Sequence, residues 1–285
     1  LVVVDKEAGW TSHDVVARLR RVFGTRRVGH AGTLDPDATG VLLVGVGKTT
    51  RLLRFLTPLQ KNYSAEIVLG VATTTLDASG DTVATWDMSG VTLAQARVAA
   101  ESLTGQILQI PPMVSAVKVD GRRLHTLARQ GIEVDRAARP VTVHRFEVEH
   151  GELPGVLRVQ VTCSAGTYVR VLAADLGVAL GGGAHLRKLC RTGIGSFTLA
   201  DARPVSDVDA GSVLSPKDAL RHLEAVEVSE EIVAMVARGL PLDRVPLGVS
   251  GDGPWALLDS RRRLLAVYEA TATDRIRPSV VLAAQ

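Results

Sequence analysis

The 285 residues are 46 % apolar and 22 % charged, an ordinary globular composition with material for one large domain or two. Apolar runs such as residues 41–46 are far too short to cross a bilayer, the opening LVVVDKEAG lacks the pattern of a secretory signal, and Cys163 and Cys190 make no disulfide framework, so a cytoplasmic protein with free thiols is expected. The net charge is only +3, yet residues 15–65 carry nine Arg or Lys against Asp35 and Asp37, an asymmetry that points to a polyanionic partner.

LVVVD at 1–5 reads as a buried strand entering the turn KEAGWTS. Thr11 or Ser12 then caps a helix running to about Arg21, with Gly24 as its stop. GHAGTLDPDATG at 29–40 reads as a Gly-rich loop, followed by a strand at 41–47 and a short helix at 49–56. Residues 63–70 alternate like a strand, and 92–103 read as an amphipathic helix. Residues 115–124 suggest a strand meeting an Asp-Gly turn. The segments 141–150 and 157–166 read as two strands joined by GELPG, and 168–180 as a helix ending in the glycines 181–183. A connecting segment at about 205–228 leads to WALLD and RLLAVYEA, which flank the turn SRR and suggest a small β module. The mixture predicts an α+β fold with a mixed, largely antiparallel sheet.

Several chemistries are excluded by their own geometric needs. GVGKTT at 45–50 imitates a phosphate-binding loop, but the required early Gly is Leu42. GIGSF at 193–197 lacks the Gly-x-Ser-x-Gly elbow of a serine hydrolase. Asp35 and Asp37, two positions apart on an extended loop, would point in opposite directions and make a poor glycosidase pair. The seven histidines are dispersed with no zinc-type spacing, so neither metal nor cofactor is expected. Asp35, between Leu34 and Pro36, reads locally as part of a turn. Its neighbours Gly29, Gly32 and Gly40 permit close approach of another chain. Lys6 beside a turn, Tyr63 at a strand head, and Tyr168 with Arg170 at a strand-to-helix turn each have an ordinary structural reading in isolation.

Together, GHAGTLDPDATG, KNY at 61–63 and CSAGTYVR at 163–170 resemble the bacterial tRNA pseudouridine-55 synthases in order and approximate spacing. DKEAGWTSHD, QIPPMVSAVKVDGRRLHTLARQGIEVDRAARPV and LGGGAHLRKLCRTGIGSF extend the resemblance over roughly residues 1–200. It implies that Asp35 is the essential carboxylate, Tyr63 the active-site tyrosine and Arg170 the arginine paired with the aspartate. It also implies that His30 fills the space left by a flipped base and that Lys6, Tyr168 and Leu186 line the substrate pocket. The implied architecture is a catalytic domain over 1–225, with an RNA-gripping insertion at about 118–140 carrying Arg122, Arg123 and Arg129. A reduced PUA-like RNA-binding module over 228–285 follows. The implied activity is isomerisation of one T-loop uridine of tRNA by a monomer, without cofactor or membrane. The alternatives are a guide-RNA-dependent isomerase, disfavoured by the insertion and the weak C-terminal module, and an RNA-folding chaperone. On this reading Arg170 lowers the Asp35 pKa against the rise that burial causes.

Overall fold

The computed structural model describes residues 1–282 except 116, 120 and 129. Its main sheet has ten strands, eight of them in the spatial order Arg203–Pro204, Val2–Lys6, Thr39–Val46, Ala184–Ile194, Lys61–Leu69, Val156–Cys163, Arg139–His150 and Gly105–Gln109. Neighbours pair antiparallel, except that Arg203–Pro204 runs parallel to Val2–Lys6 and Ala184–Ile194 runs parallel to Thr39–Val46. A second sheet of five strands, Glu224–Glu227, Trp255–Leu258, Leu264–Ala270, Arg275–Val281 and Leu242–Asp243, completes the α+β fold.

Ser12–Val22 is helical because Thr11 accepts from the Asp14 amide while the Asp14 carboxylate accepts from the Thr11 amide, and Val15, Val16 and Leu19 supply an apolar stripe. That stripe covers Val2, Val4, Leu42 and Val44, which share one face of the sheet. Val3, Val41 and Leu43 point the other way and join Ala256, Leu258, Leu264, Val267 and Val280 of the second sheet in one apolar cluster. The helix Val169–Ala179 and the helix Leu93–Ser102 cover the far half of the main sheet, around Tyr63, Ala65 and Ile67.

Three features depart from the sequence reading. The run at 29–40 is not all loop, because Val28–Ala31 is a strand paired with Thr39–Val46 and carries His30. Glu224–Glu227, expected to be connector, is an edge strand of the second sheet, paired parallel to Trp255–Leu258. Ala184–Ile194, for which no strand was expected, lies near the middle of the main sheet. Lys118–Val119 and Arg122–Arg123 form the expected hairpin, followed by the helix Leu124–Ala128. Arg129 lies outside the described residues, and so does the side chain of Arg123.

Gly40 is where the main sheet is tightest. Its φ is +97°, and a Cβ there would sit 2.3 Å from the carbonyl oxygen of Arg191 on the neighbouring strand. Backbone blocks backbone, so no rotamer change relieves it. Gly40→Ala is therefore expected to lower stability by about 2 kcal/mol or more, read as a reduced urea midpoint at unchanged slope.

Candidate active site

The segment 32–38 is a turn held from three sides. Its core is a hydrogen bond from the Ala38 amide to the Asp35 carbonyl (3.1 Å), with Pro36 at the position whose fixed φ suits such a turn. From below, Lys6 is fully buried, and its ammonium donates to the carbonyls of Glu7 (2.9 Å), Trp10 (2.7 Å) and Pro36 (2.9 Å). Burial pushes that ammonium down to about 8, opposed by the carboxylates of Asp37 and Asp35, so it stays a cation at neutral pH. From the helix side, Ser12 Oγ donates to the Leu34 carbonyl (3.3 Å) and accepts from its amide (3.0 Å). From the sheet side, the 1 %-exposed Arg191 donates through Nε to Val41 O (2.7 Å), through Nη2 to Gly32 O (3.1 Å) and through Nη1 to Thr33 O (3.4 Å). One guanidinium thus ties the start of the turn to the strand that follows it.

This leaves the Asp35 side chain 41 % exposed, facing a cleft and an arginine. Arg170 occupies the first turn of Val169–Ala179 and is buried, with Val169 and Leu172 packed in the core beside it. Its Nε lies 3.0 Å from Asp35 Oδ2 and its Nη2 3.3 Å from Oδ1, a two-point contact. The remaining capacity of the guanidinium goes to Thr75 O (3.0 Å), Val114 O (2.8 Å) and the Asp77 carboxylate (3.5 Å). Asp77 is fixed in turn by Thr75 Oγ1 (2.6 Å) and by the amide (3.1 Å) and hydroxyl (2.6 Å) of Ser79. Gln109, 2 % exposed, clamps the backbone entering the helix: its Oε1 accepts from the Tyr168 amide (2.9 Å) and its Nε2 donates to the Tyr168 carbonyl (3.3 Å).

The electrostatic balance differs from the simple expectation. Burial pushes the Asp35 carboxyl above the usual carboxylate range; Arg170 opposes, but the nearby Asp77 carboxylate adds to the rise. Tyr63 projects from Lys61–Leu69 into the same cleft and is 8 % exposed. Burial raises its phenol further, opposed by the Arg191 guanidinium. Lys61, one alternation along the same strand face, donates to Thr57 O (2.5 Å) and Leu59 O (2.6 Å). Burial, aided by Arg191, pushes its ammonium down to about 8.

Asp35, Tyr63, Tyr168 and Arg170 therefore line one cleft. Leu186 is buried in the core and touches an adjoining hollow that Asp35 and Arg170 share. His30 stands beside the turn in an edge contact with His13 (centroids 5.5 Å, 82°). Burial and that neighbour lower its pKa, keeping the imidazole neutral. Lys6 lines neither hollow; it props the turn from beneath. Asp77, Leu189 and Arg191 were missed by sequence reasoning. Leu189 borders both hollows, and Arg191 lies within the quoted motif LGGGAHLRKLCRTGIGSF, where nothing local sets it apart from its charged neighbours Arg187 and Lys188. Among the described residues no His, Cys, Asp or Glu cluster could hold a metal ion, and no helix is long and apolar enough to cross a membrane.

Residues 20–169 match the model of the TruB family pseudouridylate synthase (N terminal domain). A tRNA pseudouridine synthase B from Arthrobacter sp. (strain FB24) is 45 % identical over 99 % of this chain and 96 % of its own length. This chain belongs to the TruB family. The same name is carried by a relative from Corynebacterium efficiens, 48 % identical over 95 % of each chain. Among solved structures, a chain from a Cbf5-Nop10-Gar1 complex superposes with a TM-score of 0.74 at 27 % identity, covering 100 % of this chain and 83 % of that one. A chain from an H/ACA RNP bound to a substrate RNA containing 2'-deoxyuridine gives 0.75 at 24 % identity over 99 % and 84 %, a likeness of fold. As a TruB family member the chain is a pseudouridine synthase, an isomerase. The cleft offers such chemistry one reachable carboxylate, fixed in direction by a buried guanidinium, beside an aromatic ring.

Proposed function

We infer that this chain converts the uridine at position 55 of the tRNA T-loop to pseudouridine, using Asp35 and an extruded base without cofactor. The observation that carries this reading is the two-point contact of Asp35 with Arg170 at the foot of an open cleft. The substrate is supported by the relatives named tRNA pseudouridine synthase B at 45–48 % identity, well above the 27 % shared with the chain from the Cbf5-Nop10-Gar1 complex.

Pseudouridine formation breaks the N1–C1′ bond, turns the uracil, joins C5 to C1′ and then releases the C5 proton. An ionised Asp35 serves each way of starting this, by attack on C1′ or C6 or by assisting loss of a ribose proton. The two charge-assisted bonds from Arg170 take one acceptor position on each carboxylate oxygen, and the half-exposed group keeps its remaining lone pairs for the cleft. A loop base must leave its stack to reach this depth, at about a few kcal/mol, repaid by contacts in the pocket. His30, neutral and beside the turn, suits the space that the base vacates. Tyr63 suits stacking on the uracil better than proton removal, because its phenol is raised above an already high value. Tyr63→Phe is accordingly expected to keep turnover within about tenfold of wild type. A much larger loss with the fold intact would give the hydroxyl a proton-transfer role.

The test is release of tritium to water from unmodified tRNA labelled at uridine C5. Release, mapped to position 55, supports the reading. Tight RNA binding without release by the chain alone would favour a guide-dependent enzyme or a chaperone.

A further inference from the structure

Two buried cations line the cleft without a carboxylate partner. Arg191 is in register with Tyr63 on the neighbouring strand, and Lys61 lies two residues before Tyr63, so the three side chains share one face of the sheet. Both cations converge on the Asp35 turn: a Cβ on Gly32 would lie 3.5 Å from Arg191 Nη1 and 3.9 Å from Lys61 Cε. Arg191 also stands against the Tyr63 hydroxyl. Lys61 is 5 % exposed, and among the described residues neither cation is paired with a carboxylate. Their donors go to backbone carbonyls instead: all three nitrogens of Arg191, and two of the three N–H groups of Lys61, which leaves the third for the cleft. Buried charges are ordinarily paired, so a cleft that keeps two unpaired cations is suited to an anion that arrives with the substrate.

Elsewhere in the cleft Asp35 and Arg170 offset each other. Those two also border the adjoining hollow, whereas Lys61, Tyr63 and Arg191 line the cleft alone, so the surplus positive charge sits on the Tyr63 side. A base stacked on Tyr63 would lie there. A phosphate stays with the chain at the mouth, and the base is the part of a nucleotide that reaches side chains so little exposed. The reaction itself supplies the anion. In the routes that begin at the ribose, the N1–C1′ pair leaves with the ring, and the negative charge spreads over N1, O2 and O4. C1′ is meanwhile satisfied by the Asp35 carboxylate or by loss of a ribose proton. C5 then gives a pair to C1′ as the carboxylate leaves or the ribose proton returns. The C5 proton goes to water and N1 takes one up, so the uracil ends neutral. A fixed cation shielded from water acts on this developing charge far more than on the neutral uridine that binds.

Resting on the isomerisation argued above, we propose that Lys61, with the field of Arg191 behind it, stabilises the uracil anion released when N1–C1′ breaks. The test compares Lys61→Met and Lys61→Arg by single-turnover tritium release at saturating protein and by tRNA dissociation constants measured against salt concentration. Lys61→Met is expected to release tritium about thirtyfold more slowly, yet to bind tRNA within about twofold of wild type at an unchanged salt slope. Lys61→Arg keeps the charge and should hold the rate within about fivefold of wild type. Lys61→Gln, which can still donate to a backbone carbonyl, replaces Lys61→Met if that variant fails to fold. An uncharged variant within about threefold of the wild-type rate would overturn the proposal. Equal slowing in Lys61→Arg with the fold intact would overturn it too, because shape rather than charge would then be what matters. So would weaker binding with a smaller salt slope at an unchanged saturated rate, which would turn these cations toward a phosphate. No release by the wild type removes the isomerisation reading itself, whereas slow release by Lys61→Met beside an active wild type concerns Lys61 alone.

Discussion

Asp35→Asn is expected to release no tritium above background from tRNA labelled at uridine C5, a loss of at least about a thousandfold, or ~4 kcal/mol of barrier. The amide has nearly the size of the carboxylate and can still accept from Arg170, so the turn keeps its shape. What disappears is the negative charge that every route through this chemistry requires. The stability readout should move the other way. Asp35 has a folded-state pKa above its ordinary value, so its contribution to stability is fully present below that ordinary value and is lost as pH rises through the folded one. At neutral pH the ionised group therefore costs stability, softened by its partial exposure to water. The Asn variant should melt at or above the wild-type temperature. An active Asp35→Asn protein would return the Asp-Pro segment to a structural turn and remove Asp35 from the chemistry.

Removing the partner has a different signature. Arg170→Met deletes a guanidinium that is 3 % exposed and spans Asp35, Asp77, Thr75 O and Val114 O. Two carboxylates then face each other with no cation between them, and the carbonyls of Thr75 and Val114 lose their donor. Stability should fall by about 3 kcal/mol, the low end for breaking a buried pair, because both carboxylates retain water contact. Turnover at neutral pH should fall by at least about a hundredfold, ~2.7 kcal/mol. Losing the opposing cation raises the Asp35 pKa further, so the acid limb of the pH–rate profile must move to higher pH and part of the activity must return on raising pH. A limb that stays in place while activity falls would make Arg170 a purely structural residue.

The sequence disclosed Asp35, Tyr63, Tyr168 and Arg170 through motifs, and the structure brings these four to one cleft. The capped helix Ser12–Val22 and most strands followed from local chemistry, because alternation and capping are local signals. Ala184–Ile194 was not legible as a strand for two reasons. Its charged residues Arg187, Lys188 and Arg191 blur the alternation, and register shifts between Leu186 and Lys188 and between Arg191 and Gly193 break the period of two. The roles of Arg191 and Lys6 were hidden because a buried cation that feeds backbone carbonyls looks, in sequence, like a surface one. Only three-dimensional placement shows that Arg191 meets Gly32, Thr33 and Val41, or that Lys6 meets Pro36. Asp77 was silent because its arginine partner lies far along the chain.

The apolar cluster shared by the two sheets makes the second sheet part of the main sheet's own solubility. Val3, Val41 and Leu43 are buried, in part, by Ala256, Leu258, Leu264 and Val267. A chain truncated before the second sheet would turn that oily wall toward water and toward other copies of itself. The two sheets are consequently expected to melt together in a single transition, read by calorimetry.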